Sequence, residues 1–150
     1  MISVDRFTKS AQEAAQQAAE IMLRYSHHQI DTEEQLLALI EQPQGAVSQL
    51  LEFLNVDANA LSAKLDSILR GGPKGDIVDV GAGQVAITAR VVQNIDRAIE
   101  EANRLQDDLI STEHLFLAIL GEHNTLAAKL MEEAGLTRDR VYNAIQQRRG

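Results

Sequence analysis

The chain of 150 residues contains no cysteine and no tryptophan, and it has only two prolines and few aromatic residues of any kind. Without cysteine it can form neither a disulfide framework nor a thiolate metal site. The first twenty residues lack the apolar run of a secretory signal peptide, so we expect a cytoplasmic protein. The longest apolar stretches, Leu36–Ile40 and Leu115–Leu120, are far shorter than the roughly 20 residues that cross a bilayer. We therefore expect no membrane partner.

Positive charge is also scarce, because 14 lysines and arginines stand against 22 aspartates and glutamates, which gives a formal net charge of −8. Nucleic-acid binding draws most of its affinity from basic groups that neutralise phosphates, so we expect no nucleic-acid partner. Alanine, leucine, glutamine and glutamate are abundant instead, and this composition favours helices packed through aliphatic side chains. A chain of this length is expected to form one domain, over residues 1–150.

The sequence repeats itself. A shift of 80 positions, without a gap, superimposes residues 7–68 on residues 87–148. Most of the pairs that differ keep their polarity, such as Leu36 with Phe116. The identical pairs include Thr8 with Thr88, Ala18 with Ala98, Glu20 with Glu100, Ile30 with Ile110, Thr32 with Thr112, Glu33 with Glu113, Leu37 with Leu117, Ala38 with Ala118, Leu50 with Leu130 and Glu52 with Glu132. Duplication explains this register better than chance composition does.

Each repeat divides into four helices, because residues that can cap a helix recur ahead of periodic apolar runs. The predicted starts, given for the first and then the second repeat, are Thr8 and Thr88 for the first helix, Asp31 or Thr32 and Ser111 or Thr112 for the second helix, Gln44-Gly45 and Asn124-Thr125 for the third helix, and Asp57 and Thr137 for the fourth helix. The residues of the first helix that are predicted to face inward are Ala11, Ala14, Ala15, Ala18 and Met22, and in the second copy Val91, Ile95, Ala98 and Ala102. Those of the third helix are Val47, Leu50, Leu51 and Leu54, and in the second copy Leu126, Leu130 and Met131. The pattern predicts an all-α protein of two tandem four-helix repeats, over about 7–70 and about 87–148.

A glycine-rich linker, at about residues 71–86, separates the repeats. Its Gly71–Asp76 part contains glycine and proline, which break helices, and alternating valine and isoleucine follow as far as Ile87. We expect extended chain that lies along the surface and pins the two halves together. Its apolar side chains are predicted either to tuck against the repeats or to remain available to a partner.

No motif for catalysis is present. The sequence has no G-x-x-x-x-G-K-[ST] phosphate loop, no G-x-S-x-G nucleophile turn and no H-E-x-x-H metal motif. The four histidines lack the spacing that aims two imidazoles at one metal, so we expect them to be surface or capping residues. The chain is predicted not to be an enzyme and to hold no metal or cofactor.

Acidic residues are the remaining candidates. Asp107, Asp108 and Glu113 cluster around the turn before the second helix of the second repeat. They are either solvated acids favoured by the helix dipole or a functional group. Glu33 and Glu113 occupy the same place in the two repeats, which leaves two equivalent anionic spots able to receive basic groups of a polypeptide.

Two segments, Arg6–Ala14 and Ser111–Leu120, resemble the signatures of the Clp amino-terminal repeat domain, and the turns Leu54–Asp57 and Ala134–Thr137 do so too. The resemblance covers essentially the whole chain, including its duplication. Within the family, Glu41–Gly45 and Gly83–Val85 are most similar to the ClpB branch, the disaggregating Hsp100 chaperones. In the first copy, Glu34-Gln35 departs from the usual Thr-Glu-His-Leu that Thr112–Leu115 shows, which argues against assuming that the two copies bind equally.

The resemblance implies an all-helical, pseudo-twofold domain tethered to a hexameric AAA+ motor that uses ATP and Mg²⁺. Such a domain catches unfolded or aggregated polypeptides, or adaptor proteins, in cooperation with an Hsp70 system, and we expect an apolar groove rimmed by acids. The residues that match the substrate-engaging surface of the ClpB branch are Thr8, Asp107 and Glu113. The alternative is an adaptor- or phosphoarginine-docking domain of a ClpC/ClpA-type protease motor, with Glu33 and Glu113 as receiving residues. The isolated domain is expected to be a monomer.

Overall fold

A computed structural model describes residues 4–71 and 86–149. After a short 3-10 helix at Val4–Arg6, eight helices follow, as the repeat pattern predicts, with two very short strands. The elements are α1 (Lys9–Arg24), β1 (Gln29–Ile30), α2 (Thr32–Glu41), α3 (Ala46–Phe53), α4 (Ala58–Gly71), β2 (Ala86–Ile87), α5 (Ala89–Arg104), α6 (Thr112–Gly121), α7 (Leu126–Glu133) and α8 (Arg138–Arg149). In the described ranges, no helix has the length and apolar character needed to span a bilayer.

The first helix of each repeat starts at the predicted threonine. The hydroxyl of Thr8 accepts a hydrogen bond from the backbone N–H of Ala11, and that of Thr88 accepts one from Val91. Each bond satisfies an N–H group that the helix itself leaves without a partner. The sequence therefore sets where α1 and α5 begin.

The two middle helices, α2 and α6, form the centre of the core. Both carry nearly continuous apolar runs, and a helix that is apolar on all sides has to be surrounded by others. Each is packed by helices of both repeats, since α2 contacts α1, α4 and α6 while α6 contacts α2, α3, α5, α7 and α8. Phe116 and its counterpart Leu36 have no exposed surface.

Two residues predicted to face inward do not. Leu126 is 56% exposed, and α7 buries Ala127, Ala128, Leu130 and Met131 instead. Ala15 is exposed on α1, while Ile21, which the pattern missed, is fully buried. The reason is helical phase: over an eight-residue helix such as α7, several apolar stripes fit the same sequence, and the neighbouring helices decide which one is covered.

The repeats are joined by reciprocal backbone pairing. In one place Ile30 pairs in parallel with Ile87, and the N–H of Thr88 donates to the carbonyl of Ile30 at 3.0 Å. In the equivalent place Phe7 pairs with Ile110, and the N–H of Thr8 donates to Ile110 at 2.9 Å. The start of each repeat is thus held by the other, which is a pseudo-twofold arrangement. The predicted linker lies mostly outside the described residues, but its end at Ala86–Ile87 is extended and does contact the first repeat.

Candidate functional site

An apolar groove lies where the two repeats meet. It has a volume of about 400 Å³ and is lined by Phe7, Ala11, Gln12, Ala14, Ala15, Gln16, Ala18, Ile30, Gln35, Leu39, Ile87, Val91, Ile95 and Leu115. Among the residues that the structure describes, no charged side chain belongs to this lining, and the three polar residues are all glutamines. A volume of this size falls in the range of sites that hold organic ligands or side chains.

The groove follows from the residues that the pseudo-twofold brings together. Along α1 four of the six lining residues are alanines, whose small side chains leave space, whereas the lining residues on α5 are the larger Val91 and Ile95. Phe7 and Ile87, which occupy equivalent positions in the two repeats, both belong to the lining. An apolar groove is therefore present between the repeats, and the polar residues of its described lining are glutamines.

Two of the predicted site residues, Asp107 and Glu113, meet through an arginine at the end of α8. Arg149 Nη1 lies 3.1 and 2.9 Å from the two carboxylate oxygens of Asp107, and Arg149 Nη2 donates to Glu113 at 3.2 Å. His114 Nε2 lies 2.8 Å from Asp107 Oδ2. Burial acts to raise the pKa of the Asp107 carboxyl, but the bonds from Arg149 and His114 outweigh it and hold that pKa below its ordinary value.

The other two predicted residues lie at helix starts. The hydroxyl of Thr8 caps α1. Its backbone N–H donates to the carbonyl of Ile110, which is close in sequence to Glu113. Glu33 lies in the first turn of α2, where burial, and next the charge of Asp31, raise the pKa of its carboxyl. The structure thus groups Asp107 with Glu113 and sets Glu33 in the equivalent position of the other repeat. None of the four residues lines the groove.

Comparison with known proteins identifies the family. The model of the Clp repeat N-terminal domain matches two segments, residues 6–134 and 86–148. The chain belongs to the Clp repeat N-terminal domain family. Its relatives include the chaperone protein ClpB of Bacillus cereus, 30% identical over 99% of this chain, and that of Vibrio vulnificus, 33% identical over 98%. This Clp domain covers 17% of the length of each of these relatives.

Solved structures share the fold. The N-terminal domain of Hsp104 from Candida albicans superimposes with a TM-score of 0.77 at 18% identity, covering 96% of this chain and 91% of its own. A complex of the ClpV N-domain with a VipB peptide superimposes with a TM-score of 0.70 at 16% identity, covering 93% and 89%. The two tandem helical repeats are therefore the architecture of the Clp N domains.

A charge exchange between the repeats explains the departure from Thr-Glu-His-Leu. In the second repeat His114 Nδ1 accepts the backbone N–H of Ser111 at 2.8 Å and Nε2 faces Asp107. In the first repeat Glu34 takes the position of His114, accepting the N–H of Asp31 at 3.0 Å, and His27 takes that of Asp107, with His27 Nδ1 at 2.9 Å from Glu34. Imidazole and carboxylate have exchanged positions, so in both repeats a side chain three residues further along the chain accepts the backbone N–H of the N-cap residue, Asp31 or Ser111. The 80-position offset pairs His27 with Asp107 and Glu34 with His114, so the exchange of histidine and acid is visible in the sequence, although motif spacing alone does not show it.

The exchange also gives the two histidines different contacts. His27 Nε2 lies 2.9 Å from the carbonyl of Leu69, so both ring nitrogens of His27 face oxygen acceptors. His114 Nδ1 instead accepts the backbone N–H of Ser111, so its Nε2 is the nitrogen that donates to Asp107.

We expect the variant Arg149→Ala to raise the pKa of the Asp107 carboxyl. The guanidinium stabilises the charged carboxylate, and burial, which opposes it, remains in the variant. A pH titration followed through the side-chain carboxyl resonance of Asp107 measures this change. Arg148→Ala is the matched control, because Arg148 donates to Gln49 instead. An unchanged Asp107 titration in Arg149→Ala would show that the acid pair does not hold this arginine.

Proposed function

We propose that this domain is the substrate-binding N-terminal domain of an Hsp100 chaperone, which captures unfolded or aggregated polypeptides and delivers them to an AAA+ motor. The observation that carries the proposal is the apolar groove between the repeats, whose described lining residues carry no charge. Unfolded chains differ from folded ones by exposing aliphatic segments, and an apolar groove of this volume accepts such side chains. The names of the ClpB relatives are in keeping with this function.

The mechanism that we propose is capture by avidity. A single shallow groove binds weakly, but several tethered domains around one hexamer raise the local concentration of substrate at the motor. In the parent protein the ATP and Mg²⁺ would be bound by the motor, and an Hsp70 system would be a partner. The domain itself contributes binding and no chemistry.

A negative charge placed in the groove is expected to weaken binding of a permanently unfolded protein by tenfold or more. Ala15 lines the groove and is exposed, so Ala15→Glu adds a carboxylate to the lining without disturbing the core. Ala63→Glu makes the same change on an exposed position of α4, outside the groove. Binding is measured by titrating each isotope-labelled variant and following its backbone amides. Equal affinities of the two variants would rule the groove out as the capture site.

The second candidate is docking of an adaptor or of a phosphoarginine-marked substrate, as in a ClpC/ClpA-type protease motor. The observation in its favour is that Asp107 and Glu113 already hold a guanidinium, that of Arg149. Titration with a phosphoarginine peptide separates the two candidates. Amide shifts at Glu33 and Glu113 would favour docking, whereas shifts at the groove, or around Thr8, Asp107 and Glu113, with only the unfolded chain would favour capture.

A further inference from the structure

Among the described lining residues, the groove contains one buried side-chain polar atom that has no hydrogen-bond partner. Gln35 belongs to the groove lining, and its Oε1 is buried with no hydrogen bond to any residue in the described ranges. A buried acceptor without a donor lowers stability, and nearly all such groups in proteins are paired. An atom of this kind in a binding groove points to a donor that comes from the ligand.

The neighbouring hydrogen bonds determine whether the oxygen or the nitrogen of the Gln35 side-chain amide has no partner. Gln35 Nε2 donates to Asn94 Oδ1 at 3.3 Å, and Asn94 Nδ2 donates to the backbone carbonyl of Leu115 at 3.4 Å. A carbonyl can only accept, so the amino group of Asn94 has to face Leu115. The oxygen of Asn94 then faces Gln35 and takes the Gln35 amino group. The oxygen of Gln35 is the atom that remains without a partner.

The other repeat shows that the fold does not require this polar chain. The position of Gln35 is occupied there by Leu115, and the position of Asn94 corresponds to Ala14 in the first repeat. Leu115 and Ala14 are buried and also belong to the groove lining. Two apolar residues therefore fill the equivalent space in one half, whereas the other half keeps the amide pair of Gln35 and the buried Asn94, in which the Gln35 oxygen is buried without a donor.

We propose that Gln35 Oε1 is a specificity point of the groove, and that the bound segment is an aliphatic stretch of polypeptide carrying one serine or threonine hydroxyl. The hydroxyl donates to Gln35 Oε1 while the neighbouring aliphatic side chains occupy the apolar lining. A lysine ammonium fits less well, because the lining residues in 4–71 and 86–149 include no charged group to compensate for its desolvation. This inference rests on the proposed function of the groove, and it adds the chemistry of the selected segment.

The test uses two short peptides of alanine and leucine that differ only at the centre, where one has threonine and the other valine. These side chains have nearly the same shape, so the hydroxyl is the difference. The wild-type chain is expected to bind the threonine peptide about fivefold more tightly, the effect of one hydrogen bond of ordinary strength. In Gln35→Leu, which introduces the residue of the second repeat, the preference is expected to disappear. The control is Gln16→Leu, at an exposed position of the same groove lining, which is expected to keep it.

The outcomes separate this inference from the proposed function. Equal affinity of the wild-type groove for the two peptides would overturn the role of Gln35 and leave capture in place, whereas binding of neither peptide would overturn both. The side-chain amide resonance of Gln35 in the wild-type chain is a second readout that needs no variant. It is expected to shift more with the threonine peptide than with the valine peptide, and identical shifts would contradict the proposal.

Discussion

The variant Phe116→Ala is expected to lower the free energy of unfolding by about 3–5 kcal/mol. Phe116 is the largest of the fully buried side chains, and it lies in α6, which is packed by helices of both repeats. Its removal loses the transfer free energy of the ring and also leaves a cavity that the surrounding helices fill only in part. No other single truncation in the described core removes more apolar volume.

Thermal unfolding followed by circular dichroism measures the effect, with an expected decrease in Tm of about 10 °C for a domain of this size. Leu126→Ala is the informative control. Leu126 was predicted to face inward by its periodicity, yet it is 56% exposed, so its truncation should change stability by no more than about 0.5 kcal/mol. Comparable losses in the two variants would mean that α7 is rotated from the phase described above.

The second large effect is expected at Glu101, an acid buried in α5. Arg138 donates to its two carboxylate oxygens at 2.7 and 2.6 Å, and Arg104 donates to one of them at 2.5 Å. Glu101→Gln removes the negative charge that the two guanidinium groups share, and of the two only Arg138 keeps a further acidic partner among the described residues, the exposed Asp139. We expect a loss of about 3 kcal/mol in the free energy of unfolding, because hydrogen bonds to charged groups are the strong ones.

The pH dependence of this loss has a definite sign. Burial acts to raise the pKa of the Glu101 carboxyl, but the hydrogen bonds from Arg138 and then Arg104 prevail and lower it. A carboxyl with a lowered pKa in the folded state contributes stability above its ordinary pKa of about 4.3, and the contribution disappears as the pH falls through the folded-state value. The difference between the wild type and Glu101→Gln is therefore expected to narrow below about pH 4. Denaturant unfolding at a series of pH values tests this, with Glu100→Gln, at the exposed neighbouring position, as the control.

The first repeat suggests how the stability that Glu101→Gln loses can be restored by further substitutions. Ile21, fully buried, occupies the position of Glu101, and Ala58 occupies that of Arg138. Replacing a buried ion pair by apolar residues is often neutral or stabilising, in contrast to removing one partner. The double variant Glu101→Ile with Arg138→Ala is therefore expected to be more stable than Glu101→Gln. A double variant of equal or lower stability would show that the second repeat depends on this ion pair.

Several features of the fold were predictable because they depend on neighbours in sequence. Thr8 and Thr88 cap the helices that follow them, and a cap acts within one turn of chain. The run Leu115–Leu120 predicts a buried helix, since no side of it is polar. The 80-position offset predicts two copies of one unit, and that unit is the repeat of the Clp family.

The candidate sites were less accessible to sequence reasoning. Ala11 was predicted as core, which it is, but nothing in its own segment shows that it also lines a groove. Glu101 shares the buried face of α5 with Ala98 and Ala102, and only the placement of Arg138 next to it explains how a carboxylate is accommodated there. The acids Asp107 and Glu113 were selected by resemblance, and their common contact with Arg149 joins the second helix of the repeat to its last.

The sequence by itself determined the eight helices, their starts and the duplication, because hydrogen bonds within a turn and apolar periodicity are local properties of the chain. Only the tertiary structure decided the groove, the phase of α7 and the partner of Gln35. Each of these depends on residues far apart in sequence, such as Gln35 with Asn94, that are brought together when the two repeats pack. That packing is set by the reciprocal pairing of Phe7 with Ile110 and of Ile87 with Ile30, and the periodicity of no single segment encodes it.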